Sequence, residues 1–448
     1  MNEEINKNLE NIEWTFNICC EDQRYFTFLK KVIRHTFRKN WFTRVSTPII
    51  EKQSVYDNIF WESNVENVMP IFWLKDKINN EKLILRPSNT VWIFSLYLNT
   101  YLEYPQPVSL YYLDEQFKKI DNLSDSRFTE YFQVWCEVIG ENDQVIDAQI
   151  ISMGQNILDW LWLEWKYTIY VNSMWLPKET EKYKEELKSF LLFREQFLTE
   201  KDKEILEINP LEIFNSENED VQELLSQSPI ISEFIKKKSS DCFNKFKEYL
   251  DLFEVKYEED TRLINPSIIY WSIVFKFVDK KTWQTLISGW RKNSLIKTLW
   301  HKKDVPALWW SMIVPRVMNL VKSENIKIRN KDKIDVFLMQ LWDDARKLLL
   351  PLSQEARNRW LNVMLSIWTP SIKVQNTRAI QLKTRFIVIV WIMEARNWTC
   401  QLKDLQEWTQ SEVQLDELLD MIVDKIWEEN LTYYSPLKDL IIGEQESV

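Results

Sequence analysis

The side chains able to do chemistry in this chain are its bases and acids, because the usual nucleophile and metal partners are scarce. Only two histidines occur, His35 and His301, far apart and each among lysines and arginines. Neither a histidine-based triad nor a zinc site is expected from them, and no protein metal site is expected elsewhere. The cysteines Cys19, Cys20, Cys136, Cys242 and Cys400 form no Cys-x-x-Cys pair and read as reduced thiols of a cytoplasmic protein. The bases are less evenly spread. Lys373, Arg378, Lys383, Arg385, Arg396 and Lys403 stand against one acid, Glu394, which gives +5 in the 33 residues from Ser371 to Lys403. Such a segment is ordinarily solvated surface; it is also the local charge that a phosphate backbone requires. The net charge of −10 argues against non-specific nucleic-acid binding by the whole surface.

The elements that position these groups follow from periodicity. Asp22–Asn40 has Phe26, Leu29, Val32, Ile33 and Phe37 at three- and four-residue spacing, a helix with one apolar face. Strand-like runs follow at Phe42–Ile50, Ile84–Leu85, Val108–Leu113 and Phe132–Ile139, then a helix over Asp147–Leu161 and a strand at Tyr167–Val171. Long irregular connections between strands predict an α+β fold with a largely antiparallel sheet. Pro177–Glu258 is rich in Lys and Glu and helical in period, an inserted module, after which strand-like sequence resumes at Ile269–Phe277. Beyond the charged stretch Ser323–Lys333, strands at Val336–Leu341, Leu361–Ile367 and Phe386–Val390 alternate with helices at Asp343–Arg359, Ser371–Leu382 and Leu415–Ile426. That alternation predicts a small α/β domain with a mostly parallel sheet. The expected parts are therefore 1–175, 176–258, 259–330 and 331–448. The polar start Met1-Asn2-Glu3-Glu4 lacks the pattern of a signal peptide, and no apolar run is long enough for a membrane span, so no membrane association is expected.

Composition carries a second signal. The chain has 23 tryptophans and 4 glycines, together 27, whereas about 31 glycines would be usual at ~7%. The tryptophans also fall where glycines belong. Asn397-Trp398 separates two strand-like runs, where Asn-Gly would make a two-residue hairpin turn with positive φ. Trp41 follows Lys39-Asn40 at a helix end, and Trp360 follows Arg357-Asn358-Arg359 in the same way, both positions that favour glycine. Most of these tryptophans are expected to be glycine in the living cell, as a code in which UGA means glycine would produce.

With those positions read as glycine, Leu85-Arg86-Pro87-Ser88-Asn89-Thr90 and the runs Pro107–Tyr112 and Phe117 to Glu137-Val138-Ile139-Gly140 follow one another in a recognisable order, and on them the chain resembles histidyl-tRNA synthetase, a class II aminoacyl-tRNA synthetase, from about Trp14 to the C-terminal helix. Val45-Ser46-Thr47-Pro48-Ile49-Ile50-Glu51 is similar to motif 1, the strand and proline of the dimer interface. Leu85-Arg86-Pro87-Ser88-Asn89-Thr90 resembles the loop Leu-Arg-Pro-Glu-Gly-Thr. Pro107–Tyr112 and Phe117 through Glu137-Val138-Ile139-Gly140 resemble the strand–loop–strand of motif 2. Asn172-Ser173-Met174-Trp175, Asn209-Pro210-Leu211 and Ser226–Ile230 resemble the insertion domain. Asp335–Leu341 with Trp342-Asp343-Asp344-Ala345-Arg346, Phe386–Trp391 and Asn397-Trp398-Thr399 resemble the anticodon-binding domain. Each segment is short; their common order and spacing make the match specific.

The resemblance implies ATP-dependent activation of histidine and transfer to tRNA by a cytoplasmic homodimer, with Mg²⁺ carried on the ATP. It places Thr90, Gln133, Glu137 and Tyr270 around histidine, and Lys118 and Arg316 on ATP as the catalytic cations. It assigns Lys373, Arg378, Lys383 and Arg385 to tRNA. Taken one at a time, Tyr270 reads as a core aromatic, Glu137 as a strand-end carboxylate and Arg316 as a surface base. Several residues depart from the family pattern. Lys118 replaces an arginine, which keeps the charge and loses the bidentate fork. Ile120 and Ser88 replace glutamates, and Pro315 replaces an acid. Asn265-Pro266-Ser267-Ile268-Ile269-Tyr270 replaces Arg-Gly-Leu-Asp-Tyr-Tyr, and Lys292 and Asn293 interrupt Gly-Gly-Arg-Tyr-Asp. One lost contact to a charge-developing transition state costs roughly 10²–10³ in rate. The alternative expectation is therefore a catalytically impaired paralogue that binds tRNA or regulates histidine biosynthesis.

Overall fold

The computed structural model describes residues 15, 17–57, 71–75, 81–118, 129–174, 177–264, 272–291, 304–326, 328, 334–359, 361–366 and 371–432. The chain divides into two compact units, Met1–Lys327 and Ile328–Val448.

The first unit is built on strands β1 (Thr43–Arg44), β2 (Ile50–Lys52), β3 (Trp73–Lys75), β4 (Lys82–Leu85), β5 (Val108–Phe117) and β6 (Glu130–Ile139). It continues with β7 (Tyr167–Met174), β8 (Tyr257–Glu259), β9 (Ser272–Asp279), β10 (Thr285–Arg291) and β11 (Ala307–Ile313). Eight of them form one sheet in the order β1-β5-β6-β11-β10-β9-β7-β8; β2-β4-β3 form a small antiparallel sheet. Within the large sheet only β1–β5 and β7–β8 run parallel. The antiparallel core expected from the long connections is therefore present, and the Phe42–Ile50 run is two short strands rather than one.

The helix Cys20–Lys39 covers one face of that sheet. Its Phe26, Leu29, Val32, Ile33 and Phe37 are all buried, and the Phe37 ring stacks on Tyr111 of β5 at 4.3 Å and on Trp310 of β11 at 5.6 Å. Gly289 of β10 lies on this face, where a Cβ would come within 2.4 Å of the Trp309 carbonyl oxygen and of the Phe275 ring. The other face is left for the helix Thr90–Leu96, whose Val91, Ile93 and Phe94 share a core with Tyr112, Trp135 and Trp309. Between β7 and β8 come the helices Pro177–Leu192, Glu200–Ile208, Glu219–Ser226 and Lys237–Leu252, the helical insertion read from the Lys/Glu-rich sequence. Asp202 organises its middle, accepting from Thr199, Ser216 and Asn218, which hold its carboxyl down at about 2.

The second unit carries β12 (Val336–Gln340), β13 (Val363–Leu365), β14 (Phe386–Val390), β15 (Thr399–Asp404) and β16 (Thr409–Gln414) in the order β13-β12-β14-β15-β16. The first three are parallel; β15 and β16 are antiparallel, so the sheet is mixed rather than mostly parallel. Periodicity misses β16 because only Val413 of Thr-Gln-Ser-Glu-Val-Gln is buried. Asn397-Trp398 is also not a two-residue hairpin turn. Ile392–Asn397 coils into a short helix after β14, and Trp398 ends it in the left-handed conformation, φ 57°. The sequence reading is right that positive φ is needed there and wrong about the turn that needs it.

Candidate active site

Gln133, Trp135 and Glu137 alternate along β6 and so point to one face of the sheet. Register fixes their neighbours. Asp114, Tyr112 and Leu110 of β5 lie opposite them on one side, and Ile313, Ser311 and Trp309 of β11 on the other. One strand further, Ser288 and Trp290 of β10 pair with Ser311 and Trp309, and beyond them lie Lys276 and Val274 of β9. Glu137 is fully buried, with its Oε1 accepting from the Trp135 indole at 3.2 Å. Three indoles occupy the space beside it. Trp135 stacks on Trp309 with centroids 3.9 Å apart, and Trp290 meets Trp309 edge-on at 4.0 Å.

The segment 85–90 closes one side of this face through a connected polar network. Arg86, buried, donates to the carbonyls of Glu115 and Thr47 and lies 3.8 Å from the Asp114 carboxylate. Asn89 bridges Asp114 and Gln116, at 3.2 and 2.7 Å. Thr90 begins the helix with its hydroxyl 3.0 Å from that of Ser88. Tyr56 donates to the carboxylate of Glu51 on β2 and also approaches the Ser88 carbonyl at 3.0 Å. Burial dominates here. It pushes the Glu51 carboxyl up to about 8, against the opposing pull of Tyr56 and Arg86, and raises the Tyr112 hydroxyl with help from the nearby Glu137 charge.

The cations are placed differently. Arg316 is buried in the first turn of the helix Val314–Ser323, immediately after β11, and donates to the Thr285 carbonyl at 2.8 Å. It is thus not the surface base that its isolated sequence suggested. Lys118 follows β5, half-buried, its backbone N–H on the Thr129 carbonyl at 2.9 Å. Arg291, beside Trp290, is committed to the framework. It donates to Asp147 at 2.7 Å and to the carbonyls of Glu141 and Asp143. Gln133 and Glu137 therefore share one face of the sheet, Thr90 follows Asn89 beside Asp114 and Gln116 of β5, and Arg316 stands in the first turn after β11. Tyr270, Ile120, Lys292, Asn293, His301 and the run Asn265–Ile269 lie outside the described residues.

Among the bases read as a phosphate surface, Lys373 and Arg378 are exposed on the helix Ile372–Gln381, and Lys383 is exposed just beyond it. Arg385 does not join them. It is buried, 3.8 Å from Asp404, and donates to the Lys425 carbonyl. Sequence reasoning assigned no role to Glu51, Tyr56, Arg86 or Tyr112. Glu51 and Arg86 sit inside segments it had singled out, but burial and pairing across 30 residues leave no local signal.

Among the described residues no three His, Cys, Asp or Glu side chains meet as metal ligands would; a Mg²⁺ ion carried on nucleotide phosphates needs one or two protein carboxylates. Asp114 and Glu115 stand near Lys118 at the end of β5 and could serve.

An antiparallel sheet of this order, with polar residues on one face of its central strands and a buried arginine in the helix that follows, has the α+β fold of class II aminoacyl-tRNA synthetases. No protein-family profile matches the chain. Individual proteins do. A histidine–tRNA ligase of Halothermothrix orenii is 24% identical over 396 residues, covering 88% of this chain and 94% of that protein. Those of Neisseria meningitidis and Acholeplasma laidlawii are 27% and 25% identical, over 81% and 93% of this chain and 84% and 99% of theirs. The apo histidyl-tRNA synthetase of S. aureus superposes with a TM-score of 0.77 at 20% identity, covering 93% of this chain and all of that one. The histidyl-tRNA synthetase of Nostoc gives 0.67 at 18%, over 94% of this chain and all of that one. Over most of its length the chain is similar to histidine–tRNA ligases, and it shares the fold of the solved histidyl-tRNA synthetases.

Proposed function

We propose that this protein is a histidine–tRNA ligase. In the first step the histidine carboxylate attacks the α-phosphate of ATP and pyrophosphate leaves. In the second, a hydroxyl of the terminal tRNA ribose attacks the acyl carbon and AMP leaves. The observation that carries this reading is the placement of Gln133 and Glu137 on one face of β6, flanked by Thr90 on one side and by Arg316 at the end of β11. A buried carboxylate such as Glu137 suits a cationic amino group or an imidazole N–H, which would neutralise it. Thr90 and Gln133 would orient the substrate by hydrogen bonds. Arg316 and Lys118 would hold phosphate oxygens and offset the charge that develops as pyrophosphate departs. Lys118 would do so as a point charge, not as a fork.

The remaining parts of the reading have their own supports. Lys373, Arg378 and Lys383 form an exposed basic edge in the second unit suited to the tRNA backbone. Ile49 and Ile50, in the segment that resembles motif 1, expose large apolar side chains, as a homodimer interface would require. No helix among the described residues is long and apolar enough to cross a membrane, which is compatible with work in the cytoplasm. Charging of unfractionated tRNA with labelled histidine tests the function. Histidine should enter the acid-precipitable fraction in an ATP-dependent way, and its failure to do so while another amino acid enters would overturn the proposal.

A further inference from the structure

We infer that the residue made in the living cell at Trp41, Trp162, Trp165, Trp283, Trp398 and Trp408 is glycine, and that the same holds for Trp135, Trp290 and Trp309 over the substrate face. Among the described residues nine non-glycine positions have φ between 52° and 68°, and six of the nine are tryptophan. Tryptophan is 23 of 448 residues. The left-handed conformation crowds any Cβ and disfavours bulky side chains most, so tryptophan should be among the rarest residues there.

The backbone around each position is one that glycine ordinarily serves. At the end of Cys20–Lys39 the Trp41 N–H bonds to the Arg38 carbonyl and the Phe42 N–H to the Phe37 carbonyl, the paired closure of a glycine-ended helix. The helix Gln144–Trp160 ends identically, with Trp162 on Asp159 and Leu163 on Leu158. Trp283 and Trp408 close hairpins, Trp398 ends a helix, and Trp165 stands in the bend before β7. The rings lie outside the core. Trp41 is 91% exposed, Trp408 76% and Trp283 72%. Trp162 stacks on Phe28 and Trp165 lies under the Lys256 ammonium, but an indole as exposed as Trp41, Trp283 or Trp408 has little to set against its backbone strain.

The second group rests on the ligase reading. Trp135, Trp309 and Trp290 stack on the face that carries Gln133 and Glu137 and fill the volume that a substrate would need. Removing the three rings opens that volume next to the Glu137 carboxylate without touching the strand pairing, since ladder hydrogen bonds belong to the backbone. One codon with a changed meaning explains both groups at once.

Peptide mass spectrometry of the protein purified from its own cells reads the answer without reference to activity. Glycine masses at all nine positions are expected. Tryptophan at the left-handed positions overturns the inference, and glycine there with tryptophan at 135, 290 and 309 overturns its second half. The consequence for the site is read separately by calorimetry, using histidine as the probe on recombinant protein. The Trp135→Gly/Trp290→Gly/Trp309→Gly variant should bind histidine at least tenfold more tightly than the chain with indoles. Equal affinity, with glycine found in the native protein, would count against the ligase reading and leave the residue assignment intact.

Discussion

Trp283 and Trp408 occupy the same place in two hairpins of different sheets. Each stands four residues after the aspartate that ends the first strand, in Asp279-Lys280-Lys281-Thr282-Trp283 and Asp404-Leu405-Gln406-Glu407-Trp408, with φ of 59° and 55°. Each aspartate accepts a backbone N–H two residues on, from Lys281 and from Gln406, both at 2.9 Å. The same solution appears twice, and in both copies the residue at the left-handed position is the one least suited to it. Trp283→Gly and Trp408→Gly should each stabilise the recombinant protein by roughly 1 kcal/mol, because the side-chain clash in the left-handed region is worth about that much per residue. Trp283→Ala should give little of this gain, since alanine keeps the Cβ. Urea midpoints for the three variants measure it, and a loss of stability with glycine would contradict the account.

A pH dependence follows from Glu51. Burial raises its carboxyl to about 8 from an ordinary 4.5, so between those values the folded state keeps a proton that the unfolded state has released. Stability should therefore fall as pH rises from about 5 through 8 and level off above that. Glu51→Gln removes the ionisation while preserving an acceptor for Tyr56. Its stability profile should be flatter than the parent's across this window, measured by thermal melts at constant ionic strength.

Arg291 and Asp147 form a fully buried pair at 2.7 Å, and the arginine also holds the carbonyls of Glu141 and Asp143 ahead of the helix Gln144–Trp160. Arg291→Ala should destabilise by about 3–5 kcal/mol, the usual effect of leaving one buried charge alone. Asp147→Asn should cost less, because asparagine keeps an oxygen acceptor for Arg291, whose other N–H groups stay on the carbonyls of Glu141 and Asp143. Denaturant unfolding of the two variants checks the order.

The exposed bases of the second unit should separate tRNA binding from adenylate formation. Lys373→Ala and Arg378→Ala should each reduce the salt dependence of tRNA binding by about one unit of slope and leave histidine-dependent pyrophosphate exchange unchanged. Arg385→Ala should instead lower stability, since that guanidinium lies buried near Asp404. Filter binding across a salt series reads the first effect.

Much of this architecture is legible in the chain, because it is written in periods. The five apolar positions from Phe26 to Phe37 mark the helix that covers the sheet, and the two-residue alternation in β6 is enough to put Gln133 and Glu137 on one face. The small elements are harder. β16 buries a single side chain, and Ile392–Asn397 buries none, so neither leaves a hydrophobic trace. The flank of the site is hidden for another reason. Glu51, Tyr56, Arg86 and Asp114 meet only through tertiary pairing, and a buried carboxylate looks like any surface glutamate in sequence. Turn chemistry is the most informative signal, since positive φ at Trp41 and Trp398 is readable from their neighbours alone.

Amino-acid-dependent exchange of labelled pyrophosphate into ATP tests the central claim most directly, on protein carrying glycine at 135, 290 and 309. Exchange should appear with histidine, remain at background with the other amino acids, and fall by roughly 10² or more in Glu137→Gln or Arg316→Ala. No exchange with histidine at high enzyme concentration, or equal exchange with an unrelated amino acid, would contradict the assignment.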